Sequence, residues 1–428
     1  MKTFEKPEYR ALVDAERGLV SRRVFHDREL YEQEQKKIFE HCWLYLGHES
    51  QLRSAGDFFT AYMGEEPVLV TSARDGSIRA FVNSCPHRGM RVCRADSGSA
   101  NSFTCAYHGW TFNNEGKLIG VPMDRELYQG GLDRELWGLT PVAQLASYKG
   151  LIFGSFDPDA PPLIEYLGTM ALYLDTLVDR NAAGTELIGG VHKWRVRTNW
   201  KIAEDNNSGD EYHVPYNHGS YLKDAGVTPA DFLRDVIHAS TPEQHNFSMR
   251  FELPNGSAEL PFPILSSALR DPRVVEYLRS AGPEAEQRLG RIRSRVQIFA
   301  GTVFPNFSLV PLFSAIRVVH PRGPNEVEVW SWCIVDRDAP PAVKQSLLKA
   351  YMELLGPSGL VEQDDSEIWE ACTVSSQISV LRDRPYNYQM GLGKETWHEG
   401  LGCTISDRMS EAAQRGFYRH WTRLMERA

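Results

Sequence analysis

Cys85-Pro86-His87-Arg88-Gly89-Met90 and Cys105-Ala106-Tyr107-His108-Gly109-Trp110 each offer a cysteine and a histidine within a few residues, with seventeen residues between His87 and Cys105. The flanking sequence reads as small β-structure. Glu66 to Ala73 and Ser77 to Asn83 bracket Arg74-Asp75-Gly76, a hairpin signal, and Ser102 to Phe112 and Lys117 to Val121 bracket Asn113-Asn114-Glu115-Gly116 in the same way. Two loops of one small sheet could thus bring two thiolates and two imidazoles to a common centre. Zinc accepts such ligands, but zinc fingers pair cysteine with cysteine and histidine with histidine. Here each pair is mixed, which suits a [2Fe-2S] cluster in which one iron takes both sulfurs and the other both imidazoles. Any one of these residues alone would read as a core thiol or a loop histidine, as do Cys42, Cys93, Cys333, Cys372 and Cys403.

On the N-terminal side, Leu30, Ile38, Cys42 and Trp43 share one face of a helix over Asp27 to Trp43, with Asp27 as its cap. On the C-terminal side, a strand at Leu151 to Phe156 runs into the linker Asp157-Pro158-Asp159-Ala160-Pro161-Pro162. The expected organisation is a helical segment over 1–43 that packs on the last domain, an all-β module over 44–158, and a larger α+β domain over 159–428. Strand-like runs in that domain lie at Val191 to Val196, Val296 to Val303, Phe307 to Val319 and Glu326 to Val335. Helical patterns cover Leu163 to Asp179 and Ala342 to Leu355, a further helix follows Gly356-Pro357-Ser358-Gly359, and Thr404 with Asp407 would open a last helix as a capping box. Across 428 residues, 47 Lys and Arg against 56 Asp and Glu leave a formal charge of -9, which argues against nucleic acid or an anionic membrane as partner. No stretch reaches the roughly 18 apolar residues of a membrane helix. The opening residues lack the apolar run of a secretory signal, so a reducing cytoplasm is the expected compartment.

A second constellation lies between Asn199 and His218. If this stretch is helical, Asn206, Asp210 and His213 stand at i, i+4 and i+7 on one stripe, while His218 points roughly 140° away from His213. Pro215 should break the helix between the two histidines and let them converge. Two histidines and a carboxylate on one face of Fe(II) leave positions open for O2 and substrate. The carboxylate must come from elsewhere, and Glu362-Gln363-Asp364-Asp365-Ser366-Glu367 supplies candidates, although acids opening a helix also simply suit its dipole. Asp210 can fix the tautomer of His213, and it and Asn206 are the candidate catalytic side chains.

Taken together, Cys-x-His, Cys-x2-His-Gly-Trp, the run Asn199 to His218 and Glu-Gln-Asp-Asp resemble the α subunits of Rieske non-haem iron aromatic-ring dioxygenases, over nearly the whole chain. The resemblance implies that Cys85, His87, Cys105 and His108 hold a Rieske [2Fe-2S] cluster, and that His213, His218 and Asp365 rather than Asp364 hold a mononuclear iron. It implies a catalytic domain of helix-grip type, and an Asp210 that links a metal histidine to a cluster histidine of the neighbouring subunit. From that link follows a trimer, α3 or α3β3 with a small β subunit. The chain lacks Gly-x-Gly-x-x-Gly and Walker loops, so NADH would be oxidised by a separate reductase, with or without a ferredoxin. The implied reaction is cis-dihydroxylation of an aromatic substrate by O2. A Rieske monooxygenase or O-demethylase would use the same two sites, an electron-transfer protein would lack the mononuclear iron, and a zinc module would lack sulfide. Asn207 stands where many such proteins carry an aromatic or apolar residue, and here both Asn207 and Ser208 are polar, which points to an arene with a polar or carboxylate substituent.

Overall fold

Asp75 accepts hydrogen bonds from the backbone and hydroxyl of Ser77, and Gly76 takes φ +80, so the chain reverses between the strands Glu66–Ser72 and Ile78–Val82 in register Val68 to Val82. These strands join Asp57–Met63 and Ser97–Ser99 in a four-stranded antiparallel sheet. The second expected hairpin is different. Its long first arm is two strands, Ser102–Thr104 and Thr111–Asn113, which pair with one another before the chain turns back into Leu118–Gly120. Gly109 is the reason: its φ of +74 has no place in a strand and turns residues 105–110 into a loop. A third sheet joins Gln144–Tyr148, Leu151–Ser155 and Leu44–His48. These elements form one compact unit, Phe39–Leu163, in the computed structural model, whose described residues are 7–224, 226–233, 236–251, 267–406 and 408–427.

The other unit comprises the chain up to Ile38 and the chain from Ile164 onward. Its centre is a nine-stranded antiparallel sheet among the described residues. The strand order is Thr185–Val196, Val327–Asp336, Ala315–Pro321, Phe307–Val310, Val296–Val303, Asn246–Phe251, Val236–Ser240, Cys403–Ile405 and Thr396–His398. The single strand expected over Phe307 to Val319 is a hairpin, because Pro311 opens a tight turn and Ser314 takes φ +54. Helices Leu360–Ser376 and Trp200–Asn207 pack together, and the latter lies on the strands Ala315–Pro321 and Val296–Val303. The expected helix over Leu163 to Asp179 is two, Leu163–Leu167 and Met170–Val178. The final helix runs over Ala412–Met425 rather than starting from a capping box: Thr404 belongs to a strand, and Asp407 lies outside the described residues. Among the described residues no helix is long and apolar enough to cross a membrane.

Asp27 caps the helix Arg28–Glu34 by accepting the N–H groups of Glu29 and Leu30. This helix delivers Glu34 to the middle of the larger unit, where its carboxylate accepts hydrogen bonds from Trp200 Nε1 and Trp421 Nε1, each at 2.7 Å. Lys201 Nζ lies 2.6 Å from the same carboxylate, and neither charged side chain is more than 1% exposed. A carboxylate taken from water needs such a counter-charge and donors on its remaining lone pairs. Replacing it with alanine would strand the Lys201 ammonium and two indole N–H groups. Glu34→Ala is expected to destabilise the larger unit by about 3–5 kcal/mol, read as an earlier transition in denaturant followed by tryptophan fluorescence; a shift within error would show the clamp to be dispensable.

Candidate metal centres

The two cysteine–histidine loops are built alike. Gly89 N–H donates to Cys85 O at 2.8 Å and Cys85 N–H to Met90 O at 2.8 Å; in the second loop Gly109 N–H donates to Cys105 O at 3.0 Å and Cys105 N–H to Trp110 O at 2.8 Å. Gly89 and Gly109 both take φ +74 to close these loops. Cys85 and Cys105 are buried, and the imidazoles of His87 and His108 meet edge to face with ring centroids 4.5 Å apart. Trp110 stacks on His87 at 4.9 Å and fixes its plane. His87 Nδ1 is buried without a hydrogen-bond partner, as an atom reserved for a metal would be. Desolvation, His108 and Arg88 all lower the pKa of His87, which favours the neutral, ligating form. Burial pushes the Cys85 thiol up, with Cys105 adding to it, while the backbone N–H groups of His87 and Arg88 pull the other way. Among the described residues these four do not gather to the distances of a single-ion site, whereas a cluster with a sulfur end and an imidazole end suits their arrangement.

The single-ion site lies in the larger unit. Asn199 caps the helix Trp200–Asn207 by accepting Lys201 N–H, and the helix ends at Ser208. The break therefore precedes His213. Gly209, at φ +111, makes it, and a side chain there would lie 2.6 Å from the backbone nitrogen of Ser248. The helix expected to carry Asn206, Asp210 and His213 on one continuous stripe is thus interrupted. Pro215 does not stop a helix either: it sits in the first turn of a short one, Val214–Asn217, where its missing N–H costs nothing. His213 and His218 flank this single turn, and their Nε2 atoms are 3.3 Å apart.

Asp365, buried on the helix Leu360–Ser376, brings Oδ1 to 3.3 Å from His213 Nε2 and 3.0 Å from His218 Nε2. These are the three side chains among the described residues whose donor atoms converge on one point. Asp364 faces the other side of His218, with Oδ2 3.1 Å from Nδ1, so it can hold the N–H there and leave Nε2 free for a metal. For His213 the corresponding acceptor is the backbone carbonyl of Asp210; the Asp210 carboxylate is farther, at 3.6 Å, and is 37% exposed. Asn206 Nδ2 lies 3.2 Å from Nδ1 and 3.4 Å from Nε2 of His213, against the ring as a whole. Asn217, which the sequence did not single out, donates to Asp365 Oδ1 at 3.2 Å. Burial opposes a charge on Asp365, but its hydrogen bonds to His213 and His218 prevail and hold it well below the usual carboxylate range. Burial also opposes protonation of His213, and hydrogen bonds to Asp210 and Asp365 outweigh it and raise its pKa. Three electron-pair donors turned on one another at such distances are the donor set that a divalent iron matches.

Beside these three side chains opens a cavity lined largely by apolar residues, among them Val214, Leu222, Phe232, Phe299, Leu312 and Phe313. A mainly β unit with twin cysteine–histidine loops and a sheet-and-helix unit with a two-histidine, one-carboxylate cluster define a two-centre iron oxygenase. Residues 42–146 match the Rieske [2Fe-2S] domain, and residues 184–427 match the catalytic domain of the ring-hydroxylating alpha subunit. The chain is 40% identical to the biphenyl dioxygenase alpha subunit of Paraburkholderia xenovorans (strain LB400), covering 97% of this chain and 93% of that one. It is 37% identical to a benzene 1,2-dioxygenase alpha subunit of Pseudomonas putida, covering 99% and 95%. The solved naphthalene 1,2-dioxygenase from Rhodococcus sp. bound to indole superposes with a TM-score of 0.83 at 35% identity, covering 95% and 94%. The chain belongs to the α subunits of the aromatic-ring-hydroxylating dioxygenases, with a Rieske [2Fe-2S] cluster and a mononuclear iron as its cofactors. Such subunits are terminal oxygenase components, and their electrons come from NADH through separate redox proteins.

The neighbouring acids have different tasks in this geometry, and metal analysis separates them. Asp365→Ala is expected to lower iron from about three to about two per chain while the visible spectrum of the cluster persists. Asp364→Ala should keep all of the iron, and loss of iron from that variant alone would reverse the two assignments.

Proposed function

We propose that His213, His218 and Asp365 hold the mononuclear iron, that Cys85, His87, Cys105 and His108 hold the cluster, and that the chain cis-dihydroxylates an aromatic ring bound in the adjoining cavity. The observation that carries this reading is the convergence of the two Nε2 atoms and Asp365 Oδ1 on the wall of an apolar cavity. When bound, the iron supplies open positions for O2 and the cluster supplies electrons one at a time.

The chain's own contribution is positioning. Asp364 and the Asp210 carbonyl keep each Nδ1 protonated, so both imidazoles offer Nε2 to the same point. The aromatic and branched side chains of the cavity hold a flat apolar substrate by dispersion and keep water away from the reacting edge. The Asp210 carboxylate lies 3.6 Å from His213 Nδ1 and is partly exposed, so it can reach a histidine of a neighbouring subunit as well, which supports a ring of three α subunits, alone or with a β subunit. Electrons would arrive at the cluster from a reductase, directly or through a ferredoxin, in a cytoplasm reducing enough to keep Cys85 and Cys105 available for cluster assembly.

Turnover of an arene under 18O2 is expected to place both labels in one product molecule, read by mass spectrometry; a single label would identify a monooxygenase instead. Asp210→Ala should retain both metal centres and lower substrate-dependent O2 uptake by roughly 10- to 100-fold, with the reduced cluster reoxidising slowly in single-turnover mixing. Unchanged reoxidation would remove Asp210 from the electron path.

A further inference from the structure

One side of the substrate cavity is polar and only partly satisfied. Asn207, the last residue of the helix Trp200–Asn207, and Arg317, on the strand Ala315–Pro321, both line the cavity, and they are 4% and 1% exposed. Arg317 Nη1 lies 3.0 Å from Glu362 Oε2 and donates a long hydrogen bond of 3.5 Å to Asn207 Oδ1. A guanidinium can only donate, so the amide of Asn207 turns its oxygen toward Arg317 and its NH2 group away. That Nδ2 atom and Arg317 Nε and Nη2 are buried without hydrogen-bond partners. Buried donors of this kind cost stability unless something accepts from them. Asn207 and Arg317 thus put unmet donors in an otherwise apolar wall, and a ligand that brings an acceptor meets a need that a hydrocarbon does not.

The charge balance narrows the acceptor. Glu362 faces the Arg317 guanidinium, Asp365 faces the two histidines and the ion they would share, and the two further charged residues lining the cavity, Asp210 and Glu211, are acidic. A carboxylate on the substrate would bring a further negative charge into this surrounding, whereas an uncharged oxygen would not.

We infer that Asn207, backed by Arg317, is a specificity-determining anchor for an uncharged hydrogen-bond acceptor on the substrate ring, so that this chain prefers an arene carrying a carbonyl or similar oxygen over the plain hydrocarbon. This rests on the cavity being the arene site. Acetophenone and ethylbenzene have nearly the same shape and differ in one carbonyl, which makes them the test pair; benzoate supplies the anionic arm.

Binding of each compound to the iron-loaded, cluster-loaded holoprotein is measured by calorimetry, without turnover. Acetophenone is expected to bind about tenfold more tightly than ethylbenzene, the ratio that one hydrogen bond from such a donor confers. Asn207→Leu and the nearly isosteric Asn207→Asp, which replaces the donor by an acceptor, should each bring that ratio close to one. Equal binding by the unaltered protein, a ratio that survives in both variants, or benzoate as the tightest ligand would overturn the inference. O2 uptake on the same holoprotein is read separately, after both metal centres have been reduced chemically and the excess reductant removed. A carbonyl preference that disappears in the variants, with no compound promoting O2 consumption, would uphold the anchor and defeat the dioxygenase reading.

Discussion

A single buried carboxylate ties together the parts of the larger unit that are most distant in sequence. Glu34 is held by Lys201, Trp200 and Trp421, so the leading helix, the helix that leads into the metal site and the final helix meet at one side chain. Ion pairs in such surroundings are poor sources of net stability, because desolvation consumes much of the attraction, yet removing one member is severe. Their value here is positional. The start of Trp200–Asn207 cannot slide or rotate without stranding a charge. Farther along the same helix, Thr302 and Ser308 donate to Glu204 at 2.9 and 2.7 Å, and Tyr388 and Tyr418 donate to Asp205 at 2.5 and 2.8 Å. A helix of two turns is thereby fixed to the sheet and to the C-terminal part of the chain before it reaches Gly209.

That rigidity matters because the two histidines proposed to hold the iron lie beyond the helix, on an irregular stretch. Gly209 lets the backbone pass directly against Ser248, and the one-turn helix Val214–Asn217 then sets the spacing of the two imidazoles. On each histidine one ring nitrogen is engaged by Asp364 or by the Asp210 carbonyl, which leaves the other as the lone-pair donor. Asp364 and Asp365 are adjacent on a helix and so point about 100° apart. One enters the cluster and the other supports it from behind. Glu362, three residues before Asp365 and on nearly the same face, pairs with Arg317 instead.

Much of this was legible in the residues, and the exceptions have physical causes. The mixed Cys-x-His and Cys-x2-His spacing specified two loops and a two-metal cluster, because chemistry of that kind tolerates little variation. The hairpin arm drawn through Ser102 to Phe112 failed at Gly109, whose positive φ cannot be read from local hydrophobicity. The helix break was placed at Pro215, on the rule that proline stops helices, when the stop was Gly209 and the proline opened the next turn. Physics alone left Asp364 and Asp365 open, since which face of a helix meets the histidines is a tertiary fact. Arg317 gave no signal either. It lies in a strand buried along its full length, where period-two alternation is lost, and its partners come from two other elements.

The larger unit is interrupted in sequence by the smaller, which has a consequence for how the protein is made. On the ribosome, Phe39–Leu163 can complete its sheets as soon as it emerges, whereas Glu34 must wait for Lys201 and then for Trp421, near the far end of the larger unit. Synthesis thus imposes a sequence on maturation. The iron–sulfur pocket is ready to be filled while the ferrous site does not yet exist, and the nascent chain holds a solitary buried-type acid in water until Trp421 has been made.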